Sequence, residues 1–157
     1  MYSVRAATAA VVFACTLVAA VGAEENKPAG ALPTKLGVTE QVAGTGREIQ
    51  RGAFAVMHYR GWLFDPAAAD GKGKLFIDSR ENGQTLTYVY GYERAIKGLE
   101  RGLEGMKVGA HRTIVVPPKL AYDDLKYPYP PDVPVGSALI FEVDLVDVVP
   151  QSAPPDQ

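Results

Sequence analysis

Residues 91–123, G-Y-E-R-A-I-K-G-L-E-R-G-L-E-G-M-K-V-G-A-H-R-T-I-V-V-P-P-K-L-A-Y-D, limit the fold more tightly than any other stretch of this chain. Ile96, Leu99 and Leu103 recur at intervals of three and four, which predicts a single amphipathic helix over residues 93–103. Gly102 and Gly105 end it. Residues 112–116 then read as an apolar strand, closed by Pro117-Pro118, and the turn that follows presents Tyr122. A helix with one apolar stripe must bury it against another layer. A tyrosine delivered beside that stripe gives a small greasy pocket with one polar handle. Nothing in the stretch resembles a nucleophile, a metal cluster or a phosphate loop.

The layer under the helix is a sheet. Phe54, Val56 and His58 alternate with Ala55, Met57, Tyr59 and Gly61, a period of two. Residues 86–90, L-T-Y-V-Y, are rich in strand formers and stop at Gly91. Leu139, Phe141, Val143 and Leu145 alternate against Glu142, Asp144 and Val146, the mark of a half-buried strand. Residues 65–73 form a turn-rich insertion between two strands, and residues 123–134 an irregular loop crowded with proline and tyrosine. Strands with one short helix across their face make an α+β domain.

A length of 157 residues fits one domain with appendages. Arg5, the uncharged run 6–21, and the small residues Val21-Gly22-Ala23 before Glu24-Glu25 predict a secretory signal peptide over residues 1–23. The run is about as long as a membrane span needs, but its alanine content and small-residue exit favour cleavage after Ala23. Cys15, the single cysteine, lies inside it, and Phe13 is too large for a lipoprotein acceptor motif. The mature chain is thus expected in the periplasm or outside the cell, with no membrane anchor and no disulfide, held by its core alone. Residues 24–35 read as a flexible linker, 36–149 as the domain and 150–157 as a disordered tail. A net charge of −2 with scattered Lys and Arg argues against nucleic acid. No long helical arm suggests dimerisation, so a monomer is expected.

Conventional catalytic groups are sparse. His58 sits on the strand face opposite Tyr59, and His111, beside Arg112, is expected to be solvated. The two are far apart with no acidic partner at ligand spacing, so no metal is expected. Asp65, Asp70, Asp123 and Asp124 do not fit a calcium loop, and a serine elbow is absent. Taken one at a time, Tyr59 and Phe141 read as core packing, Ile96 as a buried helix position and Asp78 as a turn aspartate. Tyr122 alone is hard to place in a core.

Five separated blocks, in order, carry a resemblance. They are V-A-G-T-G-R-E-I-Q-R-G from Val42, V-M-H-Y-R-G-W-L-F-D from Val56, G-L-E-G-M-K-V-G from Gly102, V-V-P-P-K-L-A-Y from Val115 and L-I-F-E-V-D-L from Leu139. Over residues 36–149 the chain resembles the FKBP-type peptidyl-prolyl isomerases. The resemblance implies a twisted antiparallel β-sheet wrapped around one short α-helix, and prolyl isomerisation with no cofactor, metal or covalent intermediate. It implies proline-containing unfolded or exported polypeptides as partners, and macrolides as inhibitors. Carried over by position, Tyr59, Asp78, Ile96, Leu99, Tyr122 and Phe141 become the catalytic set. Phe76, Ile77, Leu86, Ala95 and Val133 become the substrate-binding set. In the family the proline ring rests on the residue matching Leu99. The backbone N–H at Ile96 and the hydroxyl at Tyr122 bond the substrate, and the residue at Asp78 holds the pocket wall.

Departures from the family pattern are specific. Leu99 replaces the tryptophan common at the floor, which keeps it apolar but less flat. In L-F-I-D-S-R, residues 75–80, matching Asp78 puts Ile77 at the family's phenylalanine position, while Phe76 could take it with a register shift. A one-residue slip reverses the face of every side chain. Asp123 stands where glycine is usual, and the 123–134 loop differs most. Asp123 and Asp124 at the pocket rim are expected to favour basic or neutral peptides. The other reading is a catalytically weak domain kept as a binding module or chaperone for proline-containing segments.

Overall fold

The computed structural model describes residues 30–81, 83–92, 95–122 and 130–151. Six strands form one antiparallel sheet: β1 (Gly37–Val42), β2 (Phe54–Phe64), β3 (Lys72–Asp78), β4 (Leu86–Val89), β5 (His111–Val116) and β6 (Leu139–Val149). Their order is β1-β5-β6-β2-β3, with β4 also on β2. β4 pairs with Phe54 to Met57 of β2 and β3 with Arg60 to Phe64, so the two lie end to end along one edge. The α+β layout expected from the alternations is the one observed. Among the described residues no helix is long and apolar enough to cross a membrane.

The alternation of β2 and β6 decides which side is wet. Ala55 and Met57 on β2, with Leu139, Phe141, Val143 and Leu145 on β6, are buried on the inner face. Past Leu145 the phase flips. Met57 pairs with Leu145 but Val56 with Asp147, so Val146 is an extra residue pushed outward, and Val148 returns to the core.

One α-helix, α1 (Lys97–Gly102), covers the inner face over β5. It is shorter than the 93–103 expected, with residues 93 and 94 outside the described residues. Ile96 stands before the first turn with φ −59° and ψ 146°, its carbonyl accepting the N–H groups of Leu99 and Glu100 at 3.0 and 3.1 Å. Its apolar spacing suits a helical position, but it caps the helix instead. At the other end Arg112 Nη1 donates to the carbonyls of Gly102 (3.1 Å) and Glu104 (2.7 Å), covering groups the helix leaves unpaired.

Two glycines set how closely the helix approaches the sheet. A Cβ at Gly98 would stand 2.3 Å from Val116 Cγ1, and one at Gly102 2.6 Å from Ile114 Cδ1. Each glycine costs the helix about 1 kcal/mol against alanine. Direct contact with buried Ile114 and Val116 offsets that cost.

Candidate active site

Between α1, β2, β3 and the turn after β5 lies a cleft of about 160 Å³. Its floor is Leu99, 4% exposed, with Phe141, 3% exposed, rising from β6. Ile96 and Ala95 come from the approach to the helix, Leu86 from the start of β4, and Tyr59 from β2. Tyr122 follows a 3-10 turn at Pro118–Leu120 that starts on Pro117, as the Pro-Pro sequence requires. An apolar cavity of about this size holds one benzene ring, so the cleft suits a single small ring.

The wall formed by β3 answers the register question. Gly61 pairs with Ile77, and Trp62 pairs with Leu75, which leaves Phe76 as an extra residue in a bulge. Regular pleating would send Phe76 and Ile77 to opposite faces. With the bulge both line the cleft. Phe76 meets Phe141 edge to face, centroids 6.0 Å apart and planes at 83°. Gly61 makes room for them: a Cβ there would come within 2.8 Å of both Ile77 Cγ2 and Phe76 Cζ.

Among the described residues, two phenols are the polar side chains of the lining. Burial raises the pKa of both Tyr122 and Tyr59 above that of a free tyrosine, and for Tyr122 the nearby Tyr59 adds to it. Both are therefore neutral at ordinary pH and act as hydrogen-bonding groups. The Ile96 backbone N–H has no acceptor among the described residues.

All but two of the residues singled out in the sequence line this cleft. Asp78 lies beside it, lining a neighbouring recess, and its Oδ1 accepts the Arg80 N–H at 2.8 Å. Val133 is turned into the core, in a turn where its N–H donates to the Pro130 carbonyl at 3.0 Å. Asp123 and Asp124 lie outside the described residues. His58 does point away from the cleft, its Nδ1 3.2 Å from Ser79 Oγ. The solvated role expected of His111 is corrected: it is half-buried, with Nδ1 2.7 Å from Asp144 Oδ1 on the adjacent strand. Among the described residues no group of three or more His, Cys, Asp or Glu side chains is placed to hold a metal ion.

Two supporting residues were missed. Ser79, 8% exposed, accepts the Tyr59 N–H on Oγ (2.9 Å) and donates its own N–H to the Tyr59 carbonyl (3.0 Å), fixing that tyrosine's backbone from both sides. Glu100 Oε2 accepts the Gly91 N–H at 3.0 Å, tying the segment before Ile96 back to the helix. Its other oxygen and the Tyr88 hydroxyl are buried without partners among the described residues, and burial, then the Glu100 charge, raise the Tyr88 pKa strongly. The D-S dipeptide at the end of β3 is the local signal that could have marked the first; no local signal marks the second.

Comparison with known proteins places this geometry. Residues 45–146 match the family model described as FKBP-type peptidyl-prolyl cis-trans isomerase. FK506-binding protein 4 of Mycosarcoma maydis is 37% identical over 117 residues, 74% of this chain, yet the chain spans only 28% of that relative's length. Peptidyl-prolyl cis-trans isomerase FKBP2 of Mus musculus is 33% identical over 132 residues, 84% of each protein. The crystal structure of FkpA from Escherichia coli superposes with a TM-score of 0.60 at 30% identity, covering 80% of this chain and 54% of that one.

Proposed function

The chain belongs to the FKBP-type peptidyl-prolyl cis-trans isomerase family, and from that premise we propose that its cleft rotates X–Pro peptide bonds. Amide resonance holds such a bond planar behind a barrier of about 18–20 kcal/mol. At the top of that barrier the amide is twisted, has lost resonance and is less polar. A water-poor apolar cleft that fits the twisted form better than the planar one lowers the barrier with no acid or base. The observation that carries this reading is the lining: a ring-sized hollow floored by Leu99, with the phenols of Tyr59 and Tyr122 as its polar side chains. Tyr122 hydroxyl and the Ile96 N–H would orient the peptide by bonding its carbonyl groups. The uncatalysed step takes about 10–100 s, so modest acceleration already helps a folding chain.

A protease-coupled assay on a short proline peptide tests the proposal, with Leu99→Trp and Tyr122→Phe alongside. Turnover above background, lowered in Tyr122→Phe, is the expected result. No turnover together with retained binding of unfolded protein favours the second reading, a binding module or chaperone for proline-containing segments. Leu99 is what favours that reading, since leucine offers a proline ring less flat surface than an aromatic floor.

Residues 1–23, read as a leader, put the work in the periplasm or outside the cell, on exported polypeptides. Fractionation followed by N-terminal sequencing should find the protein outside the cytoplasm, starting at Glu24. A macrolide of the FK506 class is proposed for the same cleft, on the strength of the relatives' names, and the protein should sediment as a monomer.

A further inference from the structure

Beside the cleft lies a second recess of about 200 Å³, with the opposite chemistry. Tyr59, Ile77 and Leu86 line both hollows. A peptide whose proline ring sits in the first therefore carries its neighbouring side chain past the second. The rest of the recess is polar: Asp78, Ser79, Gln84 and Thr85.

Asp78 brings an unbalanced charge. Its carboxylate accepts one backbone N–H, from Arg80, and forms no ion pair among the described residues. The cations nearest in sequence are committed elsewhere. Arg80 is turned onto Asp144, and Lys74 is 2.8 Å from Asp132. A tight turn holds the rim in place: Gly83 N–H donates to the Arg80 carbonyl (3.0 Å) and Gln84 N–H to the Ser79 carbonyl (3.1 Å). Gly83 takes φ +61°, the left-handed conformation that suits glycine.

We propose that this recess is a subsite for the side chain next to the substrate proline, selecting lysine, arginine or an amide over glutamate. A cation or amide can donate to the free lone pairs of Asp78 and to the Gln84 amide oxygen. Glutamate would bring a second negative charge against an unpaired carboxylate. The proposal rests on the isomerase reading of the cleft. One partly exposed ion pair is worth about a two- to fivefold preference, and salt should weaken it.

The test measures kcat/KM for Ala-Xaa-Pro-Phe and Ala-Leu-Pro-Xaa peptides with Xaa as Lys, Gln, Leu or Glu, at low and high salt. In one series Lys should exceed Glu by about fivefold at low salt, a ratio set by one partly exposed pair. Gln84→Lys, on the exposed rim, should cancel or reverse that ratio, and Gln84→Glu should widen it. A Lys/Glu ratio near one, or a ratio indifferent to Gln84→Lys, overturns the subsite. So does a ratio that Asp123→Asn with Asp124→Asn abolishes while Gln84→Lys leaves it intact. Absence of turnover on every peptide is the distinct failure of the isomerase reading. In that event dissociation constants of the same peptides, by fluorescence titration, must show the same ratio and the same response to Gln84→Lys, or the subsite falls.

Discussion

The two faces of the sheet use the same strands for opposite ends. Outward from β2 and β6, Arg60 donates to Glu142 at 2.8 Å, Lys72 pairs with the same carboxylate, and both cations lie over the Trp62 ring, 5.4 and 4.9 Å from its centroid. One row along, Arg80 and His111 share Asp144. Inward from the same strands, Tyr59 and Phe141 border a cleft whose lining holds no charged side chain among the described residues. Charges cluster where they bind strand to strand. The face proposed to do chemistry works by excluding them. A search that follows clustered ion pairs is therefore drawn to the outer face of this sheet.

Four substitutions bear on that contrast, from the largest effect to the smallest. Leu99→Ala empties the floor of the inner face. It should cost about 2–5 kcal/mol in urea unfolding, as buried leucine truncations do, and abolish prolyl turnover with it. Glu142→Ala is the matching cut on the outer face. Glu142 is 13% exposed on its side chain and accepts from two cations, so a loss of about 1–3 kcal/mol is expected. Turnover by the folded fraction should stay unchanged; a fall in kcat would break the division of labour between the faces.

Tyr122→Phe removes one hydroxyl from the cleft. Its kcat/KM should drop about three- to tenfold, the worth of one ordinary hydrogen bond. Asp144→Asn has the smallest effect and reads out through pH. Burial pushes the Asp144 carboxyl up, but hydrogen bonds and charge from Arg80 and His111 outweigh it and hold the pKa below the usual range. A depressed carboxyl contributes its stability above the unfolded value, near pH 4, and loses it as pH falls through the lower folded value. The unfolding midpoint of the wild type should thus decline below about pH 4. Asp144→Asn should flatten that limb, and an unaltered acid slope would assign it to other carboxylates.

Much of this was legible in the sequence for a physical reason. Period-two alternation in residues 54–63 and 139–145 needs no partner to be read, and it separated Tyr59 and Phe141 from Arg60 and Glu142 correctly. Of the cleft lining, Tyr59, Tyr122 and Phe141 lie inside the matched blocks, and the remaining six residues followed by position between them. What escaped depended on partners remote in sequence or on counting. Phe76 and Ile77 looked like alternatives because periodicity assumes one residue per step, and a bulge inserts one more. Ile96 keeps helical spacing while standing outside the helix. His111 looked solvated because Asp144, its partner, is a strand away. Asp78, assigned to the pocket wall by matching, lines the adjoining recess that shares Tyr59, Ile77 and Leu86 with the cleft.

Gly98 and Gly102 touch no part of the cleft, yet they fix how far Leu99 stands above the sheet. Floor depth is thus governed from the back of the helix, by side chains that are missing. Pocket volume in this architecture can be retuned by residues no ligand ever meets, which separates control of capacity from control of chemistry. A survey confined to the lining would overlook the positions that dictate its size.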